Sequence, residues 1–254
     1  MGTRKGAGEM KGVMEKVGWF VFGLLENVKQ LLLGLMGEIH LTRHPLWIEI
    51  APVGNDVKGR ELRKALEMVK PGDVVARRYR GVVSSWFIPG RFSHTGIYVG
   101  EGMMIHAVGS GVQKIDLIDF LACDGFAILR AKRNGEAADG GKGAKEGESE
   151  GKSETIAERA VRIAKGYVGY SYDYDFDICE DYGNAEEVQK RTKSVYCHEL
   201  VRSCYPGLDI PTVKPSLWNG MIRSEKRQFL AESFFDSEEF EVVYDSDFSE
   251  ARAG

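Results

Sequence analysis

The chain has few cysteines, no basic excess and no uninterrupted apolar run long enough to cross a bilayer. Each absence excludes something. Four cysteines in 254 residues, Cys123, Cys179, Cys197 and Cys204, are too sparse for a disulfide scaffold and suit a reducing compartment. Thirty-four Lys and Arg against 38 Asp and Glu give a formal net charge of −4. That balance lacks the basic face that general nucleic-acid binding requires. The apolar runs near the N-terminus are broken by Glu26, Asn27, Lys29 and Gln30, so none spans the roughly 30 Å of hydrocarbon in a bilayer. No Ala-x-Ala-like cleavage site follows them, and Gly6 stands where a myristoylation motif wants Ser or Thr. The expected localisation is cytoplasmic, with no export and no membrane span.

What is present is ordinary for a globular protein: 43% hydrophobic and 28% charged residues, which excludes both a disordered chain and a collagen-like fibre. A chain this long buries roughly 70–75% of the surface its unfolded form exposes. Three regions are expected. Residues 1–45 form an N-terminal extension. Within residues 10–37, Val13, Val17, Phe20, Val21, Leu24, Leu25, Val28, Leu31, Leu32 and Leu35 recur at helical spacing. That helix either packs on the domain or lies peripherally on a membrane. Residues 46–236 form the main domain, and residues 237–254 an acidic tail expected to fray. Within the domain, residues 134–153 are rich in Gly, Lys and Glu and read as a flexible loop. Helices are expected over 59–69, from Thr155 to Val168, and over 195–205. Strands are expected at 73–78, 95–99, 103–107 and 126–131, the second and third joined by Gly100-Glu101-Gly102 as a hairpin.

Two of the five histidines, His94 and His106, sit on the two arms of that hairpin. If the arms pair, their rings can approach on one face, and one imidazole can orient the other. Cys197 opens a helix expected to follow Val195-Tyr196. A helix N-terminus favours an anion and lowers a thiol pKa, and a neighbouring imidazolium lowers it further. Thiolate beside imidazole is the arrangement for nucleophilic attack on a carbonyl, with the helix's first N–H groups as oxyanion donors. Taken singly, a Cys is usually a small buried hydrophobe, and a strand His a satisfied polar group.

Other sites carry weaker signals. Asp173, Asp175 and Asp177 have calcium-loop spacing, but Ile178 and Asn184 occupy the positions that need Gly and Glu. Cys179, Cys197, His198 and Cys204 offer zinc-ligand chemistry without a CxxC pair. His40 and His44 precede Pro45 and read as structural. Arg77, Arg78, Arg80 and Arg91 cluster near His94 in sequence. They read as a solvated edge or as a holder for an anionic substrate group.

The segments KPGDVVARRYRG, RFSHTGIYVGEG, MMIHAVGSGVQKIDLIDFL, GYSYDYDF and VYCHELV together resemble the permuted branch of the NlpC-type cysteine peptidases. These are the YiiX-like and YaeF-like hydrolases, with lecithin–retinol acyltransferase as a more distant relative. The resemblance runs from about Lys70 to Trp218 and implies an α+β fold: a circularly permuted papain-like core with an antiparallel sheet and helices packed on it. It implies Cys197 as nucleophile, His94 as base and His106 as the group that orients His94. It places Tyr196, Tyr172 and Asp173 near the substrate, and Arg91 is added as a candidate substrate contact. Relatives usually carry Ser after the cysteine, where this chain has His198, which adds a competing base.

The expected function is therefore a cysteine hydrolase or acyltransferase. It would act on an amide or ester of a peptide-like or lipid-like substrate through a thioester, with no metal and no organic cofactor. The alternatives are a non-catalytic membrane- or partner-binding protein on the same scaffold, and a zinc-binding module.

Overall fold

The computed structural model describes residues 39–42, 47–50, 56–79, 90–134, 136, 154–176, 178, 193–214, 216–217, 222–223 and 227–248. The expected helix over 10–37, most of the 134–153 loop, His44, Arg80, Asp177 and Cys179 lie outside these residues.

Alternating apolar positions build one central sheet. Six antiparallel strands lie in the order β12-β7-β3-β4-β5-β6. They are β3 (Val74–Arg78), β4 (His94–Gly100), β5 (Met103–Val108), β6 (Gly111–Asp116), β7 (Gly125–Ala131) and β12 (Phe240–Asp245). Short pairs flank it: β1 (Ile39–Thr42) with β2 (Trp47–Ile50), β8 (Ser171–Tyr172) parallel with β9 (Ser194–Val195), and β10 (Ser216–Leu217) with β11 (Ile222–Arg223). The helices are α1 (Gly59–Met68), α2 (Leu117–Phe120), α3 (Ile156–Gly166), α4 (Cys197–Ser203) and α5 (Ala231–Phe235).

Because side chains alternate along a strand, the sheet feeds two cores. Val74, Ala76, Ile97, Ile105, Ala127 and Leu129 point to one face, against Ala160, Ile163 and Ala164 of α3 and Leu200 and Val201 of α4. Val75, Met104, Phe126 and Ile128 point to the other, against Ala65 of α1 and Leu117, Phe120 and Leu121 at α2. Helix α3 starts on a reciprocal cap: Thr155 Oγ1 accepts from Glu158 N (3.2 Å), and Glu158 Oε2 accepts from Thr155 N (2.8 Å).

The architecture is α+β, an antiparallel sheet with helices packed on it, as the sequence led us to expect. The expected strands and helices appear within two residues of their bounds. The acidic tail is a correction. Residues 240–245 form edge strand β12 on β7, Phe240 is buried against Tyr205 and Phe234, and Tyr244 stacks near Phe126. Apolar residues at Phe240 and Tyr244 outweigh the acidic character of the segment.

Before β3, the buried carboxylate of Asp73 accepts two hydrogen bonds from Arg130, Nε to Oδ1 at 2.8 Å and Nη2 to Oδ2 at 2.6 Å, plus one from Lys70 N. The Gly72-Asp73 turn is further held by the Tyr205 hydroxyl, which donates to Gly72 O. This turn fixes where β3 enters the sheet, and hence the register of β4 beside it.

Candidate active site

The site is assembled where β4 begins. In the β4–β5 register Gly96 lies opposite His106, so His94, two residues earlier, is a diagonal neighbour of His106 on the same face. The rings meet edge-on, with His94 Nε2 2.9 Å from His106 Nδ1. Phe120, from the end of α2, lies against both, its centroid 5.7 Å from His94 and 5.5 Å from His106. Gly96 makes room for that ring: a Cβ there would stand 3.0 Å from Phe120 Cε2. On the far side of His106, Gln113 of β6 is its direct cross-strand partner, with Gln113 Nε2 3.5 Å from His106 Nε2.

Cys197 is the first residue of α4, and α4 packs on β4. Thr95 ties the two elements. Its Oγ1 donates to Cys197 O (3.3 Å), and its backbone N–H faces the Cys197 thiol together with the N–H groups of Cys197 and His198. The thiol therefore lies beside the His94–Thr95 segment in a set of backbone donors. Among the described residues no hydrogen bond joins Cys197 to His94; what is fixed is the adjacency of the start of α4 to the start of β4. Tyr172 completes the neighbourhood. Parallel pairing of β8 with β9 sets Tyr172 opposite Val195, two residues before Cys197, and its hydroxyl is placed to hydrogen-bond the thiol.

Burial dominates the electrostatics. It pushes the Cys197 thiol from 9.0 up to about 11, against the opposing pull of the backbone donors and the Arg77 charge. It holds His94 well below 6.5, and the charges of Arg77, His106 and His198 act in the same direction. It lowers His106 to about 3, again with help from Arg77. The resting site at neutral pH is therefore a protonated thiol beside neutral imidazoles. This differs from the thiolate–imidazolium pair expected from the sequence, because desolvation opposes both charges.

The remaining candidates have defined positions. His198 is buried and turned to Thr95, with Nδ1 2.9 Å from Thr95 Oγ1. Since that hydroxyl donates to Cys197 O, His198 donates to it, so the ring braces α4 on β4. Tyr196 is buried, its hydroxyl accepts from Phe229 N at 2.9 Å, and its ring packs on Phe176. Asp173 accepts from Asp175 N at 2.9 Å and donates its own N–H to Val195 O, shaping the turn after Tyr172. Arg91 is held in ion pairs with Asp245 and with Asp247 (Nε to Oδ2, 3.1 Å). Arg78 pairs with Asp247 at 2.6 Å. These two arginines anchor the C-terminal strand. Among the described residues, no three His, Cys, Asp or Glu side chains converge in a way that would hold a metal ion.

Sequence reasoning missed Thr95, Phe120 and Gln113 as parts of the site. Thr95 carried a signal, since the residue after His94 must face the opposite core. Gln113 lies on a strand that the sequence reading did not identify, and nothing in the sequence distinguishes Phe120 from any other core aromatic.

No protein-family model matches the chain, and no curated protein matches it. Among solved structures, the metalloprotein YiiX from Escherichia coli O157:H7, described as DUF1105, is similar with a TM-score of 0.46 and 17% identity. The match covers 70% of this chain and 97% of that one.

Proposed function

We propose that the chain is a cysteine hydrolase or acyltransferase on a permuted papain-like core, acting on an amide or ester carbonyl. One observation carries the reading. An imidazole pair, His94 and His106, stands at the start of β4, and the next residue of that strand faces the Cys197 thiol at the start of α4. The chain order, with both histidine strands before the cysteine helix, suits the permuted arrangement.

In this reading His94 is a general base that acts during attack, since burial keeps the resting thiol protonated. The His94 imidazole accepts the thiol proton as Cys197 Sγ bonds to the carbonyl carbon. The carbonyl electron pair becomes an oxyanion. Its collapse breaks the bond to the leaving amine or alcohol, which takes the proton from His94. The resulting thioester passes its acyl group to water or to an amine. His106 holds the His94 ring by the 2.9 Å contact and stabilises its proton-bearing form. The substrate is peptide-like or lipid-like.

The test is acyl trapping with p-nitrophenyl acetate. A burst of p-nitrophenol release and an acetyl adduct mapped to Cys197 are expected. Both should be absent in Cys197→Ala and slowed by roughly 10²–10⁴-fold in His94→Ala, the usual contribution of a positioned base. An adduct spread over the other cysteines, or one indifferent to His94, sinks the reading.

A further inference from the structure

Arg77 lies on β3 directly opposite His94, so the two side chains share a face of the sheet. It is 8% exposed. Its guanidinium sits 4.2 Å over the Phe120 ring, the same ring that touches His94 and His106, and Nη1 donates to Phe120 O at 2.8 Å. Nε is buried and has no acceptor among the described residues. Of the arginines in this stretch, Arg78 and Arg91 are neutralised by Asp245 and Asp247. Among the described residues no carboxylate pairs with Arg77. The groups around it cannot supply the missing charge at neutral pH either: the imidazoles are neutral and the thiol is protonated. Among the described residues the Arg77 charge thus has no matching anion, and a buried charge is costly unless an anion joins it. A guanidinium, unlike an ammonium, offers a planar fork matched to two oxygens of a carboxylate or phosphate.

We propose that Arg77 anchors an anionic group of the substrate, so that the substrate carries a carboxylate or phosphate close to the carbonyl attacked by Cys197. This rests on the cysteine-hydrolase reading and narrows its substrate class.

The experiment compares two alkylating reagents of nearly equal size, iodoacetate and iodoacetamide, at Cys197 of the full chain, read by peptide mass. Each rate is divided by that of the same peptide in the urea-unfolded chain. Folded wild type should favour the anionic reagent by about tenfold. Arg77→Gln should bring the ratio to that of the unfolded chain, and Arg77→Lys should keep part of it. Inorganic phosphate and acetate, tried separately as protectants against iodoacetate, distinguish the source: protection by phosphate assigns a phosphate-bearing substrate, protection by acetate a carboxylate. An unchanged ratio in wild type overturns the proposal without need of any variant, so a misfolded Arg77→Gln leaves the test intact. A Cys197 that reacts with iodoacetamide only as in the unfolded chain, regardless of His94, overturns the hydrolase reading instead.

Discussion

The protonation of the imidazole pair depends on Gln113. If the Gln113 amide donates to His106 Nε2, His106 must donate from Nδ1 to His94 Nε2, and His94 is left with a proton on Nδ1. If the amide is turned so that its oxygen accepts from His106 Nε2–H, the order reverses, and His94 Nδ1 carries a lone pair able to accept the thiol proton. One amide flip therefore separates an idle base from a competent one, across contacts of 2.9 and 3.5 Å. Gln113→Glu can only accept once ionised, so it should preserve Cys197 acylation. Gln113→Met should slow it by about tenfold, a modest part of what a positioned base contributes. Nitrogen NMR of the labelled imidazoles should show the His94 tautomer change in Gln113→Met. Equal rates and equal tautomers in both variants would remove Gln113 from the site. His94, His106 and Cys197 were readable because their residue types are uncommon and their order is distinctive. Gln113 was not, and Arg77 stood out only as one of four clustered arginines, since an exposed polar strand residue and an arginine among arginines look like their neighbours until register pairs them with the histidines.

At the scale of elements, legibility followed length and pattern. β3, β4, β5 and β7 were visible as apolar-rich runs of five to seven residues bounded by Gly or Asp on at least one side, and α3 because its cap and its helical spacing agree. β6 was missed: Val112 and Ile115 are separated by Gln113 and Lys114, which breaks strict alternation. Helices α2 and α5, with four and five residues, are too short for a period to show. Yet α2 is what carries Phe120 under the histidines, through the space left at Gly96. Gly96→Ala tests that dependence. Its Cβ would meet Phe120 at 3.0 Å and the Ile105 carbonyl oxygen at 3.1 Å, and the backbone atom cannot move aside cheaply. We expect a loss of about 1–3 kcal/mol of stability, measured by urea denaturation, and slower Cys197 acylation as Phe120 and the rings shift. A fully stable, fully reactive Gly96→Ala would show that α2 does not set the ring geometry.

The molecule as a whole closes its sheet with the segment that composition marks as a loose tail. β12 covers the edge of β7, Phe240 enters the core, and Asp245 and Asp247 neutralise Arg91 and Arg78. Phe240→Ala should therefore cost about 3–5 kcal/mol, seen as a lower urea midpoint; a change within error would return the segment to the status of a dispensable tail. The same global stability should depend on pH through the buried histidines. His106 and His198 are held near 3, and His94 well below 6.5, by burial. In the unfolded chain each takes a proton near 6.5. Between those limits the unfolded state binds more protons than the folded one, so stability rises with pH across that window and is lost as pH falls below about 6.5. At the alkaline end Cys197 and Cys123 are pushed to about 11 from 9.0. There the unfolded chain releases protons first, so stability falls as pH rises above about 9. Buried Asp73 and Glu232, whose values burial raises, act oppositely to the histidines, and removing one histidine isolates the effect from theirs. The urea midpoint should be flat from about pH 7 to 8.5 and drop on either side, and His198→Asn should flatten the acid limb while leaving the alkaline limb in place. An acid limb of unchanged steepness in that variant would mean that the charging of His198 on unfolding does not govern how this fold fails in acid.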